Sequence, residues 1–172
     1  MLLALAHFLI PPHNQMMDLL KQWNQFSVLP FGDKIFSKVV GLKIPYTGSI
    51  SAHVKQLRPA YAEVILPDSR KVRNHLQCIH AIALMNLGEF STGLALHASL
   101  PENFRAILTH LEIDYFKKAR GDISSIVTLN DSQKIFTDAA TFKIPFSLKD
   151  SKSEIVSGGC AHWKIGIYQP RK

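Results

Sequence analysis

Apolar residues at Leu19, Leu20, Trp23 and Phe26, preceded by Met16, recur every three or four positions and predict a helix over 16–26. A second, shorter helix is expected over 34–40, ending at Gly41, and Pro45 and Gly48 mark a loop. From residue 49 the period falls to two. Ile50, Ala52, Val54 and Leu57 roughly alternate with polar residues, Pro59 signals a turn, and 60–66 reads as the returning strand of a hairpin. Pro67-Asp68-Ser69 closes it. The segment 79–96 is the longest helical run, built of Ala, Leu, Met and Ile and apolar on nearly every side, so it should be buried. Four segments rich in β-branched and aromatic residues follow Pro101: 106–116, 122–129, 134–147 and 155–168. Turn signals fall at Gly121, Asn130-Asp131, Lys149-Asp150 and Gly158-Gly159, the last pair read as a turn or bulge. Helices, a hairpin, one buried helix and about four strands make an α+β domain whose sheet must curl around that helix.

With 172 residues, 47% of them hydrophobic and 19% charged, the chain suits one globular domain rather than disorder. The formal net charge of +7 favours an anionic partner. No long basic block is present, so a nucleic-acid-binding arm is not indicated. Met1–Ile10 is apolar but lacks a basic start and a cleavage site, and is too short to cross a bilayer. It reads as a packing segment, with no stable membrane insertion expected. Cys78 and Cys160 are too far apart in sequence for a metal motif and read as reduced thiols, consistent with a cytoplasmic home.

Candidate chemistry concentrates in 74–93, where polar groups run into the apolar helix and Glu89 is its lone carboxylate. A carboxylate placed there is costly to bury, and such groups are kept for chemistry or for a nearby partner. His75 and His80 look metal-like on paper but lack a third ligand at suitable spacing, so no metal is expected. Two basic clusters stand out: Arg70, Lys71 and Arg73 before the motif, and Lys117, Lys118 and Arg120 after the Tyr115 segment.

The spacing of Asn74, His80 six residues later and Glu89 nine residues after that resembles the signature of phenylacetyl-CoA-type thioesterases of the hotdog superfamily. Pro45-Tyr46, Val72-Arg73-Asn74-His75 and Tyr115-Phe116-Lys117-Lys118-Ala119-Arg120-Gly121 resemble a bacterial hotdog branch of unknown function. The likeness implies a hotdog domain over 46–172, an antiparallel sheet wrapped around a long central helix, with a helical extension over 1–45. It implies hydrolysis of an acyl-CoA thioester by a homodimer or tetramer, with no cofactor beyond the CoA of the substrate. In that reading Glu89 is general base or nucleophile, the Ala81 N–H polarises the carbonyl, Asn74 orients the water or the carboxylate, and His80 holds the helix start. Lys117, Lys118, Arg120 and Arg73 would face the CoA phosphates. The chain departs from the signature where Ala81-Ile82 replaces a Gly-Gly pair, which touches acyl specificity. A non-catalytic acyl-CoA binder or sensor, and an acyl-thioester dehydratase or hydratase, are the alternative readings.

Overall fold

The switch of hydrophobic period at residue 49 is where the backbone turns from helix to strand. A computed structural model describes residues 19–167, so Met1–Ile10 and the first turn of the helix expected at 16–26 lie outside them. Among the described residues three helices come first: α1 (Leu19–Ser27), α2 (Gly32–Lys43) and the single turn α3 (Pro45–Gly48). Then follow β1 (His53–Arg58), β2 (Tyr61–Leu66), the long helix α4 (Ala81–His97), β3 (Phe104–Tyr115), β4 (Ile123–Thr128), β5 (Thr141–Lys149) and β6 (Ile155–Ile167). The strands form one sheet in the order β1-β2-β4-β5-β6-β3. Every neighbouring pair is antiparallel. β1 and β3 are its two edges.

α4 touches all six strands. Leu84, Leu87, Leu94 and Leu96 join the buried core with Val64, Ile123, Ile144 and Ile165 from the sheet. Buried polar atoms are matched across that contact: Ser91 Oγ lies 2.7 Å from Ser125 Oγ on β4, and Trp163 Nε1 donates to Thr92 Oγ1 at 3.2 Å. Unpaired, each would cost about 1–3 kcal/mol. The least buried side of α4 in its first half runs Ile82, Met85, Glu89, an i, i+3, i+7 stripe.

α1 and α2 pack Trp23 edge-on to Phe36, ring centroids 5.1 Å apart. Ser37 stitches α2 to β1, accepting from the Val54 N–H at 2.8 Å and donating to the Asp33 carbonyl at 2.6 Å.

The structure corrects four readings. α2 runs through Gly41 instead of stopping there, and residues 45–48 form a helical turn rather than a loop. Gly41 and Gly48 are small because the two turns touch: a Cβ on Gly48 would sit 2.2 Å from the Gly41 carbonyl oxygen. The segment expected as a strand from 134 begins pairing only at Thr141, since a 3-10 turn at Asp131–Lys134 is closed by reciprocal Asn130 and Gln133 caps. Gly158-Gly159 lies inside β6, not at a turn. A Cβ on Gly159 would stand 2.0 Å from the Glu112 carbonyl oxygen, so glycine here permits a close strand approach.

Candidate active site

The loop before α4 is held by one carboxylate. Asp68 accepts from Arg73 Nε at 2.6 Å and from the Gly121 N–H at 2.9 Å, while its own N–H donates to Asp122. The Arg73 hydrogen bond comes first among the causes that hold the Asp68 carboxyl below its usual range. The Ile79 N–H donates to the Ala119 carbonyl at 2.9 Å, so the 74–80 loop is laid against the basic segment 117–121.

Asn74 spends its amide oxygen inside the loop. Oδ1 accepts from the Leu76 N–H at 2.9 Å, and the Cys78 N–H and thiol lie within 3.4 Å of it. That is an Asx-type turn, which prepares the chain for helix entry.

His80 is the N-cap of α4. Its backbone is extended, and Nδ1 accepts from the Ile82 N–H at 3.1 Å. The acceptor must be unprotonated, so in this arrangement a neutral ring carries its proton on Nε2. The cap satisfies one of the orphan donors at the helix start and leaves the Ala81 N–H with no acceptor among the described residues. The Ala81 carbonyl accepts from Tyr115 Oη at 3.0 Å, which ties the end of β3 to the first turn. The result is a free N–H at the positive end of a 17-residue helix, suited to a developing oxyanion.

Glu89 sits half-buried at the end of the least buried stripe of α4, and its carboxylate has neither hydrogen bond nor ion pair among the described residues. Burial pushes its pKa above the ordinary glutamate value. One turn earlier, Asn86 is buried; its Nδ2 donates to the Tyr46 carbonyl at 3.4 Å and its Oδ1 has no partner among the described residues. Asn86 was not singled out from sequence. The available signal was an amide three residues before Glu89 in an otherwise apolar helix. Beside this face, a cleft of about 620 Å³ opens between α2, α3, β1 and α4, lined among others by Ser37, Gly41, Thr47, Ala52 and Phe90, with Lys34 and Lys38 at its rim.

Eight residues separate Ala81 from Glu89, about 12 Å along a helix axis. The glutamate side chain leans back toward the N-terminus, which shortens that span.

The structure divides the predicted phosphate contacts. Arg73 is committed to Asp68, and Lys117 to Asp150 at 3.0 Å and to Glu154. Lys118 and Arg120 are exposed and make no ion pair among the described residues. No described helix is long and apolar enough to cross a membrane.

A family model described as "Domain of unknown function (DUF4442)" matches residues 32–165. No curated protein matches the chain. Among solved structures, a structural-genomics protein with no stated activity or organism superposes with a TM-score of 0.75 at 27% identity, over 87% of this chain and 99% of that one. A Pseudomonas aeruginosa protein of unknown function, called a probable thioesterase, gives a TM-score of 0.71 at 22% identity, over 81% of this chain and 97% of that one. A thioesterase family protein from Silicibacter pomeroyi gives 0.64 at 12% identity, over 81% and 100%. The chain therefore shares the fold of proteins named as thioesterases, in keeping with the hotdog superfamily read from its sequence.

Proposed function

The chain belongs to the family described as a domain of unknown function (DUF4442), and on that premise we propose that it hydrolyses acyl-CoA thioesters as a homodimer. The observation that carries the reading is the pairing of an unsatisfied, half-buried Glu89 carboxylate with an unspent Ala81 N–H two turns earlier on one helix. In the homodimer the second copy brings its own helix start to the first copy's Glu89. β3 offers the free edge for such pairing, and Ile82, Tyr115 and Phe116 near the helix start leave apolar surface for a partner to cover.

In this reading the Ala81 N–H of one protomer polarises the thioester carbonyl. Glu89 of the other removes a proton from water, and the oxygen attacks the carbonyl carbon. The tetrahedral oxyanion stays on the Ala81 N–H, the C–S bond breaks, and the proton held by Glu89 passes to the departing thiolate. A raised carboxyl pKa suits this exchange near neutral pH. Direct attack by Glu89, through a mixed anhydride, uses the same placement. His80 keeps the helix start in register, and Asn74 shapes the loop. Asn86 Oδ1, buried one turn from Glu89, supplies an acceptor that can orient the attacking water.

Lys118 and Arg120 would meet the CoA phosphates, while Arg73 and Lys117 hold the loops that present them. The apolar cleft beside Phe90 would take the acyl group. Free Cys78 and Cys160 go with a reducing, cytoplasmic setting.

The test is release of free CoA thiol from short, long and aromatic acyl-CoAs, with wild type beside Glu89→Gln. Turnover should fall about 10²–10⁴-fold in the variant. Saturable CoA binding without turnover by wild type would replace the hydrolase with a non-catalytic acyl-CoA binder. That second reading draws on Ile82, half-exposed where relatives are expected to carry glycine. No thiol release, with hydration of an enoyl-CoA followed by its ultraviolet absorbance and lost in His80→Ala, would favour dehydratase-type chemistry.

A further inference from the structure

On the face of the sheet turned away from α4, β3 and β6 bring together three side chains that no reading of the thioesterase site uses. The His110 and His162 rings lie 4.7 Å apart, centroid to centroid. His110 Nε2 is 3.7 Å from Glu112 Oε2, and His162 Nε2 is 4.0 Å from Glu112 Oε1. One ligand-capable atom from each residue falls within 4.8 Å of the others.

The backbone is irregular where it makes this cluster. β3 pairs Leu108 with Trp163 and then His110 with His162, so Thr109 is an extra residue, a bulge. Thr109 Oγ1 donates to the His162 carbonyl at 3.1 Å. Up to the bulge, Phe104, Ala106 and Leu108 are partly buried and packed against the core. Unbroken alternation would turn His110 inward and Leu111 outward. With the bulge the pattern inverts: Leu111 and Ile113 pack on the core, while His110 and Glu112 are exposed. The same register sets Glu112 opposite Cys160, which shares the outer face with His162 because Ala161 between them is buried.

We propose that His110, Glu112 and His162 form a binding site for a divalent transition-metal ion of the zinc type. Two imidazoles and a carboxylate are borderline donors. They suit zinc, cobalt, nickel or ferrous ions and are a poor match for calcium or magnesium, which require oxygen ligands. Zinc bonds of about 2.0–2.2 Å to nitrogen and oxygen place tetrahedral ligand atoms roughly 3.3 Å apart. The present separations close to that value with small rotations of exposed side chains. Three protein ligands leave a fourth position for water, with the Cys160 thiol on the same face. The ion would clasp edge strand β3 to β6, and nothing in this depends on the hydrolase assignment.

The experiment titrates the untagged, metal-stripped chain with Co²⁺ and then with Zn²⁺ against a competing chelator, following the cobalt ligand-field absorption and the melting temperature. Wild type should take up one ion per chain, show a tetrahedral or five-coordinate cobalt spectrum, and melt higher with zinc. Even loss of an outer partner costs roughly 10–100-fold in metal affinity, so His110→Ala and Glu112→Gln should each weaken binding at least tenfold. His75→Ala, elsewhere on the surface, should bind as wild type does. Both ligand positions are exposed, so the variants should fold, which circular dichroism checks. Equal affinity in wild type, His110→Ala and Glu112→Gln, or a purely octahedral, hydrated cobalt spectrum, would overturn the site.

Discussion

Asp68 and Glu89 are carboxylates with opposite fates. Asp68 lies in a loop, where an arginine and a backbone N–H meet its oxygens and its pKa falls. Glu89 lies on the long buried helix α4, where no described residue meets its oxygens and burial raises its pKa. The first acid is spent on architecture, and the second is kept in reserve at a cost in stability. The cations divide in the same way. Arg73 and Lys117 are consumed by carboxylates, whereas Lys118 and Arg120 remain available. Where a charge is already answered within the chain, its job is to hold shape.

Exchanging the two acids for neutral residues tests that division most severely. Glu89→Gln should remove about 10²–10⁴-fold of acyl-CoA turnover while leaving the fold intact by circular dichroism. Asp68→Ala should do the reverse, lowering unfolding stability by about 2 kcal/mol in urea through the loss of two hydrogen bonds to a charged group. The Asp68 contribution is full above the unfolded-state pKa and fades as pH falls through the lower folded-state value. Glu89 carries the opposite sign. Its folded form prefers the proton, so its relative contribution is greatest below the unfolded pKa and is lost as pH rises through the folded one. Calorimetry of Glu89→Gln should therefore show a melting temperature a few degrees above wild type at neutral pH and no gain in acid. Among the cations, Lys118→Ala with Arg120→Ala should raise KM about five- to tenfold at low salt without changing kcat, and Lys117→Ala, which only loosens the loop that presents them, should raise KM less. The smallest effect belongs to His97, packed edge-on to Trp163 with its pKa lowered by burial. Stability should decline as pH drops from the ordinary histidine range toward the lower folded value, and His97→Phe should flatten that slope in urea titrations.

Much of the fold was legible because each element announces itself within its own segment. The period change at residue 49, the turn at Pro59 and the all-round apolar run before His97 all have counterparts in the structure. Glycines misled where the reason for them was remote: Gly41 answers Gly48, and Gly159 answers the backbone of Glu112. The candidate site divides along the same line. His80 at the helix start was an expectation of the family resemblance, and a capping contact is present there. Whether Lys117 is free cannot be read from the sequence, because Asp150 and Glu154 arrive from 33 and 37 residues away, whereas the partners of Asn74 and Arg73 lie within five residues. The His110–Glu112–His162 cluster was invisible for a geometric reason. A single bulge reverses the strand's alternation, and the third ligand comes from β6, whose register the sequence does not spell out.

Edge strand β3 has one further consequence, for the order in which the protein is made. Among the described residues β3 pairs only with β6, the last described strand. A ribosome delivering this sequence from its N-terminus releases β3 with no backbone partner until roughly 40 more residues have emerged. Those long-range pairings carry the loop-closure cost that slows folding. Until they form, a strand with apolar residues on its inner side is exposed to neighbours, so nascent or C-terminally shortened chains should be the ones that associate wrongly.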